Sequence, residues 1–279
     1  MRAIGIEHIS LFGLSPVLAV HLAADLGCRH ISATLSSYDL PYHPPASLVE
    51  DPVLRRETNA AMRDRGVSIS LGEGFLLQAG TDVRRTRARG IQVMAELGVT
   101  RINTVSFDPD LARTFDQFGI LAEMAAAAGM ETTVEFAPGL TVADLPTALA
   151  AVRHVARPDF RLLIDTMHLC RTGAGAADVA AIDPALIGYI QLSDAPLESR
   201  YDSYMEEAMN ERMVPGTGEL PLVDVLAALP PDRVVALEVP RRSQIESGVG
   251  PHDRMRPCVE AARSLLARAE ARRSAWTRP

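Results

Sequence analysis

The strongest constraint on the fold is a repeated switch between two hydrophobic periods. Short apolar runs alternate with longer stretches of helical spacing along the chain. Ala3–Ile9 (AIGIEHI), His30–Leu35 (HISATL), Val67–Leu71 (VSISL), Val99–Ser106 and Met130–Phe136 (METTVEF) read as strands. Phe160–Ile164, Ile187–Leu192 (IGYIQL) and Val234–Leu237 continue the series. Helices are predicted from Pro16 to near Gly27, from Pro52 to Gly66, and over Asp82–Leu97, Leu111–Ala128 and Thr141–Ala156. Two more are predicted near Leu220–Leu229 and through Val259–Arg272. Ser15 before Pro16 is a helix start, and Gly27, Gly66, Gly98 and Gly129 stand where helix C-caps belong. Ser36–Glu50 reads as a long proline-bearing loop, and the tail Arg273–Pro279 is expected to fray.

Strands that alternate with helices pair in parallel, because the chain must cross back over the sheet between them. Eight such units in 279 residues fit a single α/β domain over 1–279, a closed (β/α)8 TIM barrel. Such barrels typically take about 250 residues. A doubly wound open sheet is the alternative, but no GxGxxG follows the first strand.

Composition narrows the chemistry. The chain has no lysine, so all 28 basic residues are arginine. Schiff-base, pyridoxal-phosphate and P-loop chemistry are thereby excluded. A net charge of −7 argues against a nucleic-acid partner. No window approaches the roughly 20 apolar residues of a membrane span, and the opening MRAIGIEHIS lacks the apolar core of a signal peptide. Cys28, Cys170 and Cys258 form no CxxC pair and are expected to be reduced thiols in a cytoplasmic protein.

In a barrel the active site lies at the C-terminal ends of the strands. The stretch Arg161–Gly173 (RLLIDTMHLCRTG) has that character: an apolar run, then Asp165, His168 and Arg171. The first polar residue after each late apolar run is Glu135, Asp165, Gln191 and Glu238, from four consecutive strands. Each one alone reads more readily as a strand-end cap. Together they are inward-facing oxygen donors that repel one another unless a cation neutralises them. The set suits Mg²⁺ or Mn²⁺ more than Zn²⁺ or Co²⁺.

His168 is a candidate for orienting a ligand or binding substrate, with a satisfied half-buried histidine as the alternative. Arg171 and Arg212 are candidates for an anionic group, against ordinary salt bridges. His8 and Glu73 are candidate pocket residues, and Asp194 is expected to brace a loop. Leu197–Arg212 reads either as a lid with Tyr201, Tyr204 and Met205 facing the pocket or as a surface elaboration that contacts a second copy.

The residues TVEF, DTMH, QLSD, LEVP and the spacing Arg212, Pro215, Gly216, Gly218 resemble the xylose isomerase-like TIM barrel superfamily of sugar isomerases and epimerases. The resemblance covers about Met130–Pro240, and the strand rhythm extends it. It implies Glu135, Asp165, Gln191 and Glu238 as metal ligands, Glu135 and Glu238 as an acid/base pair, and His168 and Arg212 as substrate contacts. Gln191 and the PGTGE run resemble hydroxypyruvate isomerase, whereas D-tagatose 3-epimerase-like members carry histidine at Gln191. The long insertion before Arg212 departs from hydroxypyruvate isomerase. The trinuclear zinc site of the apurinic endonuclease branch needs histidines that are missing here.

The expected activity is isomerisation or epimerisation of a small hydroxyketone, sugar or keto acid, by proton transfer through a metal-stabilised enediolate. One alternative is a metal-dependent dehydratase of the 3-dehydroshikimate dehydratase type, with Arg171 and Arg212 holding the carboxylate. The other is a barrel that binds a sugar or polyol without turnover. Self-association into a homo-oligomer is left open.

Overall fold

A computed structural model describes residues 2–36 and 46–276. The centre of the Ser36–Glu50 loop and residues 277–279 therefore lie outside the described residues. The first half runs β1 (Ile4–Ile6), α1 (Pro16–Asp25), β2 (His30–Thr34), α2 (Pro52–Arg65), β3 (Ser68–Leu77), α3 (Val83–Glu96), β4 (Arg101–Ser106) and α4 (Leu111–Ala127). The second half runs β5 (Glu131–Val134), α5 (Leu145–Val155), β6 (Phe160–Asp165), α6 (Thr166–Arg171), α7 (Ala176–Ala180), β7 (Ile187–Leu192), α8 (Tyr204–Asn210), α9 (Leu222–Ala228), β8 (Val235–Leu237), α10 (Arg242–Glu246) and α11 (Pro251–Trp276).

The eight strands pair in sequence order into a closed barrel. At the seam Ile6 of β1 lies opposite Leu237 of β8 in parallel register. Closure removes the open-sheet alternative, and the protein is a (β/α)8 TIM barrel.

Aspartates set the starts of the five helices α2 to α6. Asp51, Asp82 and Asp110 each accept from backbone amides in the first turn of α2, α3 and α4. The helix expected from Thr141 begins at Leu145 instead, because Asp144 is the cap and accepts from the Thr147 amide at 2.9 Å. The last helix begins at Pro251, well before Val259, and its ordered turns reach Trp276. Pro257 sits early in this helix, where a missing N–H removes one bond while Met255, Cys258, Val259 and Ala262 keep their buried face. Arg273, expected to fray, donates to the carbonyls of Leu226, Ala227 and Leu229 at the end of α9. Strand β3 continues through Gly72-Glu73-Gly74, with its register against β4 shifting between Gly72 and Phe75.

The main core lies between the barrel and its helices. A second cluster of Leu71, Leu163, Tyr189 and Ala236 fills the barrel interior. Side chains alternate along a strand, so the next inward positions on β3, β6, β7 and beyond β8 are Glu73, Asp165, Gln191 and Glu238. The floor of apolar residues thus fixes which way the carboxylates point. The three cysteines are free, and among the described residues no helix is long and apolar enough to cross a membrane.

Beyond β7, the Asp194 carboxylate braces the loop, as its sequence position suggested. It accepts from the amides of Gly216 at 2.7 Å, Gly218 at 3.0 Å and Leu220 at 3.2 Å. A Cβ at Gly218 would collide with the Asp194 carboxylate and the Ala195 carbonyl. Gly218→Ala is expected to lower stability by about 2 kcal/mol or more in urea unfolding. Gly119→Ala, in the middle of α4 with open space around it, should instead raise stability by roughly 0.5–1 kcal/mol.

Candidate active site

The strand ends converge as the alternation requires. Glu135 follows β5, Asp165 ends β6, His168 lies one turn into α6, and Glu238 follows β8. One potential ligand atom from each of these four residues lies within 4.8 Å of every other. Asp165 is also the N-cap of α6: its Oδ1 accepts from the amides of Met167 at 2.7 Å and His168 at 2.9 Å. The cap uses Oδ1 and leaves Oδ2 to face Arg212.

Arg212 enters from the loop after α8 and pairs with the cluster. Its Nη1 meets Asp165 Oδ2 at 2.5 Å and its Nη2 meets Glu238 Oε2 at 2.9 Å. The Ala208 carbonyl accepts from its Nε at 2.7 Å, which fixes the plane of the guanidinium. Gln191 lies beside Asp165 in the sheet register and donates through Nε2 to Glu238 Oε1 at 3.1 Å. The other amide atom, Oε1, is buried and finds no hydrogen-bond partner among the described residues.

The cavity above this floor is bounded by His8, Glu73, Asn103, Glu135, His168, Arg212 and Glu238 on its polar side. His8 lies on a short 3-10 turn rather than in β1, with its backbone N–H donating to Ser32 Oγ at 2.8 Å. Glu73 reaches the cavity from β3. Asn103 was not singled out from the sequence, yet its Nδ2 donates to Glu135 Oε2 at 2.6 Å and faces Glu73 Oε2 at 3.4 Å. The signal for it was parity alone: it occupies the inward position of β4 at the height of the others. Glu7 points into the barrel and is fully buried, and neither of its carboxylate oxygens has a hydrogen-bond partner among the described residues.

Arg171 is not brought to the cavity. Its Nη2 donates to both oxygens of Glu207 on α8, at 3.1 and 2.9 Å, and both side chains are buried. The anionic clamp expected of Arg171 and Arg212 together is not assembled. Of the insertion, Met205 lines the cavity and Tyr204 Oη meets His168 Nδ1 at 2.5 Å, while Tyr201 is exposed. Helix α8 therefore covers the site, fastened by the Arg171–Glu207 pair.

Crowded carboxylates shift one another. Burial pushes the Glu7 carboxyl up to about 7, and Glu135 adds to the shift. Burial raises Glu73 well above the usual carboxylate range, with Glu135 and Glu7 adding repulsion. Glu238 is also raised, chiefly by burial, against the pull of Arg212. Burial acts in the same direction on Asp165, but Arg212 and His168 outweigh it and hold the acid low. Arg212 is held protonated by Asp165 and Glu238 despite burial.

The donor set fits a divalent cation. Converging carboxylates, a neighbouring imidazole and an orphaned amide oxygen at Gln191 are what such an ion would satisfy. A carboxylate oxygen has two lone-pair directions, so Asp165 Oδ2 can serve both Arg212 and an ion.

The chain belongs to the xylose isomerase-like TIM barrel family, whose profile it matches over residues 20–267. No curated protein sequence matches it significantly. Among solved structures it superposes on the IolI protein with a bound zinc atom, with a TM-score of 0.80 at 16% identity over 96% of this chain and 99% of that one. A xylose isomerase domain protein from Alicyclobacillus acidocaldarius gives a TM-score of 0.75 at 20% identity, covering 97% and 100% of the two chains. A D-allulose 3-epimerase from Methylomonas sp. gives 0.71 at 18% identity, covering 95% and 98%. These similarities concern the fold.

The raised carboxyls give a testable sign. A group whose folded pKa lies above its unfolded value binds more protons when folded, so stability is full at low pH and falls as pH rises. For Glu7 the window runs from its usual value near 4.5 to about 7, a loss of up to about 3 kcal/mol. Thermal unfolding of metal-free protein should show Tm falling from pH 5 to about pH 7.5. Glu7→Gln should flatten that fall, and Mn²⁺ should oppose it by neutralising the cluster.

Proposed function

We propose that the protein is a divalent-metal-dependent isomerase or epimerase of a small hydroxycarbonyl compound, with Glu135 and Glu238 as its acid/base pair. The observation that carries this reading is the placement of these two carboxylates. They come from β5 and β8, on separate arcs of the barrel, and face one cavity around the Asp165–His168 cluster. Glu135, Asp165, Gln191 and Glu238 would hold the ion, with His168 close enough to join or to steady a ligand. Four oxygen donors favour Mg²⁺ or Mn²⁺, and the nearby imidazole keeps Zn²⁺ or Co²⁺ within the range of the site.

When bound, the cation supplies Lewis-acid chemistry, polarising a carbonyl and offsetting the charge that grows on its oxygen. The chain does the rest. One glutamate takes a proton from the carbon beside the carbonyl. The other, protonated at rest, gives up its own proton to the opposite face of the same carbon for an epimerase, or to the neighbouring carbon for an isomerase, where the hydroxyl proton also passes to the former carbonyl oxygen. Glu238 has the raised affinity for a proton that suits a resting acid, set by burial. Asn103 holds one oxygen of Glu135 and leaves the other toward His168 Nε2 at 3.4 Å. Tyr204 engages His168 Nδ1, so Nε2 is the imidazole atom presented to the cavity. Helix α8 limits water at the reacting carbon, where a stray proton would scramble stereochemistry. Similarity to barrels named as epimerases is consistent with this chemistry.

Glu135→Gln and Glu238→Gln should each lower turnover by about 10²–10⁴-fold while unfolding with wild-type cooperativity. The assay is exchange of the carbon-bound proton of a hydroxyketone into D₂O, followed by NMR with Mn²⁺ present. Wild-type exchange rates in both variants would end the assignment.

A further inference from the structure

The proposed acid/base site explains one side of the cavity and leaves the other side unused. Along β4 and just beyond it the inward column reads Asn103, Val105, Phe107. It is polar at the level of the carboxylates and apolar above them. Beyond β5 the same change occurs from Glu135 to Ala137. Opposite these, Met205, Ala208 and Met209 of α8 face inward, with Leu76, Leu140 and Ile9 filling in. None of these nine residues carries a hydroxyl, an amide or a charge. Phe107, 48% exposed, stands among the outermost of them.

Charge points the same way. Of the arginines, only Arg212 lines the cavity among the described residues, and it is committed to Asp165 and Glu238. Arg171 is committed to Glu207. Against Arg212 stand Glu73, Glu135 and Glu238 on the cavity wall. Among the described residues, a phosphate or carboxylate on the far end of a substrate would meet carbon and no cation. A chain of hydroxyls there would lose water and gain no partner.

We infer that the substrate is a neutral hydroxycarbonyl with an apolar tail, its chelating head at the carboxylates and an alkyl or aryl group against the Val105–Phe107–Met209 wall. The inference rests on the proposed acid/base reading for the orientation of the head. It separates this chain from a sugar-phosphate or keto-acid enzyme by the chemistry of the tail. The cavity is about 270 Å³ and open at its mouth, which leaves room for a phenyl group beyond the chelating atoms.

The test compares three hydroxyketones on the Mn²⁺-loaded full chain: one with a phenylalkyl tail, a free ketohexose and a ketopentose phosphate. Each is measured twice, by titration calorimetry for binding and by proton exchange into D₂O for turnover. The phenylalkyl compound is expected to bind and exchange about 10²-fold better than either of the others. Val105→Thr and Met209→Gln, which place polar atoms on the wall, should each shrink that gap about tenfold. Equal or better binding of the ketohexose or the phosphate overturns the inference, as does failure of the phenylalkyl compound to bind. The two readings fail separately. A ketohexose that exchanges fastest leaves the glutamate pair standing and removes the apolar tail. A phenylalkyl preference in binding with exchange of none of the three leaves the tail standing and removes the glutamate chemistry.

Discussion

Five carboxylates, Glu7, Glu73, Glu135, Asp165 and Glu238, are gathered at one end of a closed barrel, largely out of water. Arg212 is the cation at their centre, itself 4% exposed. A buried ion pair is a weak source of net stability, because desolvation offsets much of the attraction, whereas removing one partner is strongly destabilising. The arrangement is therefore better understood as an unfinished charge balance than as a device for stability. One guanidinium satisfies Asp165 and part of Glu238, while Glu7, buried, and Glu73, half-buried on the cavity wall, remain acids whose charged forms are disfavoured. The proposed divalent cation would complete the balance.

The insertion between β7 and β8 depends on the same centre. Arg212 donates to the Ala208 carbonyl near the end of α8, so the cation that steadies the carboxylates also holds the lid. The Arg171–Glu207 pair fastens α8 to α6, and Tyr204 meets His168 on the same helix. Three polar attachments on one short helix explain how seven residues of marginal intrinsic helicity stay in place. Helix α8 also brings Met205 and Met209, which make the outer cavity apolar.

The barrel was legible because period-two and period-3.6 patterns are dense and the glycine and aspartate punctuation agrees with them. Glu135, Asp165, Gln191 and Glu238 were legible because each ends an apolar run. Asn103 and the inward role of Glu7 were hidden, since a polar residue within or just after a strand reveals its side only when the inward parity of the barrel is known. Arg171 shows the opposite failure. Its position three residues after His168 is right for the rim, but its partner Glu207 lies 36 residues away, and no local pattern announces such a pairing.

The central claim is that the strand-end donors share one divalent cation. A titration of Mn²⁺ into metal-free protein, followed by the loss of the free-ion signal in electron paramagnetic resonance, measures this directly. The account predicts one ion per chain, weakened at least tenfold by Asp165→Asn and by Gln191→Leu, with Arg171→Gln leaving affinity close to wild type. Saturation without any high-affinity site, or a site indifferent to both Asp165 and Gln191, would contradict it.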